Sequence, residues 1–532
     1  MAVGHLLGEF AVIRDGLEGR SQILIAAGVF RAFDMAIGED PIGRITVRRC
    51  TDGRPAIDLS PMKRLFALLL FGSPLLAAGD GLPPPVWTVL PFVLLLSAIA
   101  VMPLVAAKLW HHRYPLVSYV LGGLVALYYL ATGRYPALVH VFFEYLSFVA
   151  VIGCLFLVSA GIVVQLGFKG SPRTNLALLL FGAILSNAIG TTGASVLLIR
   201  PFLAINRGRL RPYHLVFFIF MVSNIGGALT PIGDPPLMLG YLKGIEFVRF
   251  FELNLPEWLF TLGCLSAIFY VFDRRNPAQP DGVQHGGEVT ITGIRNIALL
   301  AVAVGCILLD PNRVPWVPGI THGPQGWGFA LGKPAIGTDT FSFMREFLLL
   351  GIGFWTLKTT PPENLRTNGF SSEPLREVAI LFVGIFLTML PALELIRFQA
   401  TSGAIFGVPL TPLVFYFGTG VFSGVLDNAP TFVAFLAGLE GKYGLSVAQI
   451  GASADAEIAK ALGACAVASV FWGALTYIGN GPNFMVKAIA ESMQGADGKP
   501  VVEVPSFFGY IFRYSLPILL PVLVLVGILF YR

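Results

Sequence analysis

Two aspartates in this chain stand where a carboxylate is costly. Asp234 lies in GALTPIGDPP (227–236) and Asp427 in VLDNAPTFVA (425–434), both within long apolar stretches. An ionisable residue inside a membrane is expensive and by default marks a functional site. A buried carboxylate that binds a proton near neutral pH can trade that proton for a cation. Glu144 is the third acid placed well inside a span, where a scaffold ion pair and a coupling role are equal readings. Neutral oxygens gather in the same segments: Ser186, Asn187, Thr191, Asn224, Thr230, Asn428, Thr431, Thr476, Asn480 and Asn483. With backbone carbonyls freed at helix breaks, they make a hard oxygen set suited to an alkali cation such as Na⁺. Capping and satisfying broken backbone is the competing role for each. Half-helix N-termini would attract an anion instead.

These residues need apolar elements to hold them, and the composition supplies them. Of 532 residues, 55% are hydrophobic and 13% charged, against roughly 25% charged in an average globular domain. That excludes a soluble enzyme, a disordered chain and a nucleic-acid binder with a basic face. The five cysteines show no metal-ligand spacing. Neither GxxxxGK[ST] nor HExxH nor a YD/GxGD aspartate pair occurs, so no nucleotide loop and no intramembrane protease is expected.

Apolar stretches of membrane length recur near 86–107, 115–132, 136–166, 214–243, 256–273, 294–309, 343–357, 377–397, 461–487 and 513–531. Two more, 174–204 and 408–439, are interrupted by polar residues halfway. At 31 residues each they reach about 46 Å as helix, too short to cross a ~30 Å core twice and long enough to enter and return. With both as re-entrant hairpins, 19 basic residues fall on the cytoplasmic side and 10 outside, as the positive-inside rule requires.

An internal repeat organises the chain. GALTPIGDPP (227–236) and GALTYIGNGP (473–482) match at seven of ten positions with an offset of 246. FGAILSNA (181–188) and FSGVLDNA (422–429) precede them. The expected fold is an all-α polytopic membrane protein of two inverted-topology repeats, each with a re-entrant hairpin and a broken transmembrane helix. The first half spans 86–273, with hairpin 174–204 and broken helix 214–243. A connecting region with one helix covers 274–342, and the second half, 343–532, carries hairpin 408–439 and broken helix 461–487. Residues 1–61 hold 15 charges and form a separate N-terminal extension, and 62–78 read as a signal-peptide-like segment or a first membrane helix. Translation beginning at Met62 and a cytoplasmic tail before that helix are equal explanations of the extension.

SNAIGTTGASVLLIRP (186–201), SNIGGALTPIGDPPLMLGYLKG (223–244), EVAILFVGIFLTMLPALE (377–394) and VLDNAPTFVA (425–434) resemble the ion transporter superfamily over about 86–532. The chain is most similar to NhaD-type sodium:proton antiporters and to the citrate-transport group allied to them. The resemblance implies a homodimer in the plasma (inner) membrane, in contact with the lipid bilayer and with no nucleic-acid partner. It implies no cofactor, with Na⁺ and H⁺ as transported ions. Asn187 and Asn428 match the family's hairpin-tip asparagines, and Asp427 the acid beside the second. Asn224, Thr230 and Asp234 match the first broken helix, and Thr476 and Asn480 the second. Ser186 replaces an aspartate common in the NhaD type. The expected activity is Na⁺(Li⁺)/H⁺ antiport, with Na⁺- or H⁺-coupled uptake of citrate or a dicarboxylate as the alternative.

Overall fold

The computed structural model describes residues 83–276, 288–314, 316–323, 326–331, 339–405, 407–493 and 502–532. The extension 1–61 and the segment 62–78 lie outside the described residues. Apart from Leu130–Gly133, the described residues belong to one compact unit.

Helices dominate it. A 3₁₀ turn leads into α1 (Leu90–Val105), followed by α2 (Ala107–Ala131), α3 (Tyr135–Ala160), α4 (Pro172–Ile205), α5 (Pro212–Met221), α6 (Pro235–Leu242) and α7 (Arg249–Arg274). Then come α8 (Ile294–Ile307), α9 (Met344–Thr359), α10 (Pro362–Thr367), α11 (Glu373–Ala400), α12 (Pro412–Val425), α13 (Asn428–Tyr443), α14 (Val447–Ala452), α15 (Ala456–Trp472) and α16 (Gly481–Ser492). Last are the short α17 (Phe507–Tyr510), a π-helical stretch Ile511–Leu519 and α18 (Leu520–Phe530). Among the described residues nine helical segments are long and apolar enough to cross a membrane. The protein is therefore a multi-pass, mostly helical membrane protein.

Three small antiparallel sheets lie between the helices. Val163–Leu166 pairs with Val289–Thr292, tying the α3–α4 connection to the one before α8. Pro318–Gly323 lies between Gly326–Leu331 and Asp339–Ser342, and Ala404–Ile405 pairs with Val408–Pro409. The sequence reading gives the connecting region 274–342 a single helix; the chain there also pairs as strands. It likewise extends the third span to 166, whereas α3 stops at Ala160 and the next residues enter a strand.

The core lies around α5 and the turn after it. Every residue from Tyr213 to Met221 is buried, so the phenylalanines 217, 218 and 220 pack inside the protein on all sides. Beside them a fully buried Asp273 gathers the ends of α4, α5 and α7. It accepts from Asn175 Nδ2 at 2.9 Å, Tyr213 Oη at 2.8 Å and Arg209 Nη1 at 3.0 Å, with His214 Nε2 at 3.1 Å. A buried carboxylate persists where it is paired and hydrogen-bonded. Asp273 ties α7 to the two helices, α4 and α5, that lead to the first two breaks described next.

Candidate ion-binding site

Four breaks in helical backbone meet around Asp234. The first interrupts α4 at Gly190, whose φ of 79° and ψ of 154° lie outside the helical region. A side chain is strained at that φ, and a Cβ there would also lie 3.3 Å from the Ile232 carbonyl. The next residue, Thr191, is thereby turned toward the second break. Its N–H donates to the Gly233 carbonyl at 2.8 Å and its hydroxyl to Asp234 Oδ1 at 2.6 Å.

The second break follows α5. A 3₁₀ turn (Ile225–Leu229) and an extended Thr230 carry the chain to Asp234, at the N-cap position of α6. Thr230 Oγ1 donates to the Asn187 carbonyl at 2.6 Å and accepts from Gly233 N at 3.2 Å. Gly227 and Gly233 pack so closely that a Cβ on Gly233 would stand 2.0 Å from the Gly227 carbonyl oxygen. Asp234 occupies a capping position but its side chain caps nothing. Its carboxylate, 1% exposed, instead accepts from Thr191, from Asn480 Nδ2 at 3.1 Å and from Asn428 Nδ2.

Asn480 comes from the fourth break, between α15 and α16. There the chain repeats the local construction of the second. Thr476 Oγ1 accepts from Gly479 N at 3.1 Å, and a Cβ on Gly479 would lie 2.6 Å from the Gly473 carbonyl oxygen. Amides join the two segments: Asn480 Nδ2 also faces Asn224 Oδ1 at 3.2 Å, Asn224 Nδ2 donates to Asn483 Oδ1 at 2.6 Å, and Asn483 Nδ2 to the Gly473 and Thr476 carbonyls.

Asn428 comes from the third break, between α12 and α13. Asp427 is the N-cap of α13 and accepts from Ala429 N at 3.0 Å, while Thr431 Oγ1 donates to the Asp427 carbonyl at 2.9 Å. Asp427 is partly exposed, unlike Asp234, and precedes the Asn428 that donates to Asp234.

Of the residues expected from sequence, the structure gathers Asp234, Thr191, Asn428 and Asn480 on one carboxylate, with Asn224 and Asn483 behind and Asp427 beside. Others face backbone. Ser186 Oγ donates to the Gly182 and Val222 carbonyls, and Thr476 Oγ1 to the Gly424 carbonyl. Asn187 Nδ2 donates to the Gly226 carbonyl at 2.6 Å, and its Oδ1 accepts from Leu229 N at 2.9 Å. These side chains satisfy broken backbone that has no water to turn to.

Glu144 lies apart on α3. Lys243, at the end of α6, donates to both its oxygens at 2.7 and 2.9 Å, and His140 Nε2 stands 3.2 Å away. It is a scaffold ion pair in geometry. By contrast, among the described residues no ion pair involves Asp234 or Asp427. A cleft lined by Gly190, Thr191, Asp234 and Met238, with Val151 and Leu155 of α3 opposite, reaches the site. Its volume is about 50 Å³, enough to admit water.

The sequence reading counts three acids inside spans and misses others that the structure buries, among them Asp273, Glu346 and Glu257. The fifth span, drawn from 256, begins in the structure at Arg249, so Glu257 stands two turns inside α7 and is buried. The signal available was helical continuity through RFFELNLPEWLF (249–260), which the three charges at 249, 252 and 257 obscure.

No curated protein matches the chain. The family described as putative citrate transport matches residues 82–531. That covers the helices and all four breaks, and the chain belongs to this putative citrate transport family.

Proposed function

We propose that the chain is a secondary active transporter of the plasma membrane that exchanges Na⁺ or Li⁺ for H⁺ at Asp234 and Asp427. The observation that carries this is the environment of Asp234: a buried carboxylate held by Thr191, Asn428 and Asn480, with no basic side chain paired to it among the described residues. Three neutral donors orient the carboxylate without neutralising it. A proton or a monovalent cation supplies the missing positive charge, and competition between the two is antiport.

In this reading the segments around Gly190 and Asp427 are re-entrant hairpins, and the halves are inverted repeats that alternate access around the shared site. Sequence-equivalent turns, one on each side of Asp234, support it. A homodimer with a fixed scaffold and a moving transport part follows from the same resemblance.

The family match favours a second reading, coupled uptake of citrate or a dicarboxylate. There α6, α13 and α16 would turn their N-termini to the anion's carboxylates, and Asp234 with Asp427 would hold the coupling ion. The site's two acids and absent basic partner weigh against a multivalent anion binding without a cation.

Purified protein in liposomes with a preset pH gradient and an internal pH dye separates the two. Gradient collapse on NaCl or LiCl alone supports antiport. A response that requires citrate or succinate overturns it in favour of anion symport.

A further inference from the structure

Glu257 is a buried acid that the transport site does not use. It is 6% exposed, on the face of α7 turned to the turn Ile225–Leu229, and its Oε2 has no hydrogen-bond partner. Asn254, three residues earlier on the same face, is fully buried; its Nδ2 donates to the Ala228 carbonyl at 2.7 Å, leaving Oδ1 without a donor. Trp258 Nε1 donates to the Gly226 carbonyl at 3.1 Å, so this stretch of α7 is fastened to the break that leads to Asp234. The Tyr531 hydroxyl, buried and like Glu257 Oε2 without a hydrogen-bond partner among the described residues, is near enough to interact electrostatically with the Glu257 carboxyl, and the Tyr531 ring stacks on Tyr416 at 4.9 Å.

Among the described residues Glu257 forms no ion pair, and the nearest cation in sequence to Tyr531 is the terminal Arg532. The turn Ile225–Leu229 brings no ionisable group, and α15 brings Cys465. Lys460, at the start of α15, is spent on the Arg532 carbonyl at the surface, and Tyr416 of α12 donates to the Leu523 carbonyl. Arg200 of α4 is turned to the Asn368 carbonyl, and α5 places Tyr213 and His214 against Asp273 at the far end of α7. On α7 itself Arg249 pairs with Glu252 at 3.2 Å.

Two buried acceptor oxygens one helical turn apart, on Glu257 and Asn254, and the buried Tyr531 hydroxyl are thus all without hydrogen-bond partners among the described residues. An unpaired buried charge costs far more than a hydrogen-bonded neutral acid. We propose that Glu257, with Asn254 and Tyr531, is a proton-binding site separate from the one at Asp234. The proton sits on Oε2 as a carboxylic acid and supplies the second donor the cluster lacks.

Infrared difference spectroscopy of the purified full-length chain tests this, reading the carbonyl stretch of a protonated carboxylic acid at neutral pH. The expected result is a carboxylic-acid band that Glu257→Gln removes and that Na⁺ or Li⁺ leaves unchanged. Tyr531→Phe keeps the ring, loses the hydroxyl and should move that band; it serves also if E257Q fails to fold. A wild-type spectrum that E257Q leaves unaltered means an ionised Glu257, and a band that Y531F leaves unshifted means that Tyr531 is not its partner; either result overturns the proposal. Loss of the band on adding Na⁺ or Li⁺ makes the occupant an alkali cation and overturns it too. The readout does not depend on transport, so it stands or falls apart from antiport at Asp234.

Discussion

Asp234 and Asn480 occupy equivalent positions in the two GALTxIG segments, 246 residues apart, and are hydrogen-bonded to each other at 3.1 Å. The same place in the repeat carries an anion in one copy and its amide isostere in the other. One copy thus supplies charge, and the other the donor that orients it. Two aspartates at these positions would face each other as buried like charges, each raising the cost of the other.

Asp427→Asn should abolish coupled proton movement while leaving the protein folded. The amide keeps an oxygen able to cap Ala429 N, so α13 retains its start. Proteoliposome pH-dye traces check this, and normal proton exchange would remove Asp427 from the mechanism.

Asp234→Asn should remove the stabilisation that Na⁺ gives. A ligand at 100 times its dissociation constant adds about 2.7 kcal/mol to the folded state. A thermal-unfolding series with and without NaCl should show an upward shift in wild type and none in D234N. Equal shifts in the two proteins would place the cation elsewhere.

Asn480→Ala deletes one donor to Asp234 without touching its charge. Losing a partner of a buried polar group costs about 1–3 kcal/mol, which at ~1.4 kcal/mol per decade weakens apparent Na⁺ affinity by roughly five- to a hundredfold. Titration of Na⁺ against the dye signal reads the shift, and an unchanged half-saturation would make the contact incidental.

Gly233→Ala and Gly481→Ala make a matched pair. A Cβ at Gly233 collides with the Gly227 carbonyl, whereas nothing stands within 4 Å of one at Gly481. G233A should give little monodisperse protein in detergent and G481A near wild-type yield. Similar yields would contradict the close backbone packing described here.

Lys243→Met leaves the buried Glu144 with only His140 beside it. Breaking a buried pair on one side costs about 3–5 kcal/mol. The single variant should unfold well below wild type, and Glu144→Gln in the same chain should recover much of the loss, since it removes the stranded charge. Failure of the second change to rescue would deny the pairing.

Much of the site was legible because helix breakers are visible in sequence. Gly227, Gly233 and Gly479 mark two of the turns, whereas Gly190 showed only as a polar interruption of its apolar stretch, and the repeat pointed to Asp234 and Asn480 together. Hydrogen-bond direction was not legible. Thr230, Thr476 and Asn187 have the same chemistry as Thr191 and Asn428, yet their groups are taken by carbonyls and amides of the breaks. Only the fold decides which face of a turn looks inward. Glu257 was missed for a related reason: charges at 249 and 252 push the hydropathy boundary to 256, so Glu257 read as a residue at the span's edge and not two turns inside it.

The glycine pairs 227/233 and 473/479 have a bearing on which ion fits. Each turn is closed by main chain resting on main chain, so it has no slack side chain to swing aside. Such a loop resists dilation. On the antiport proposed above, discrimination among Li⁺, Na⁺ and K⁺ should then follow ionic radius, through the stiffness of these two loops.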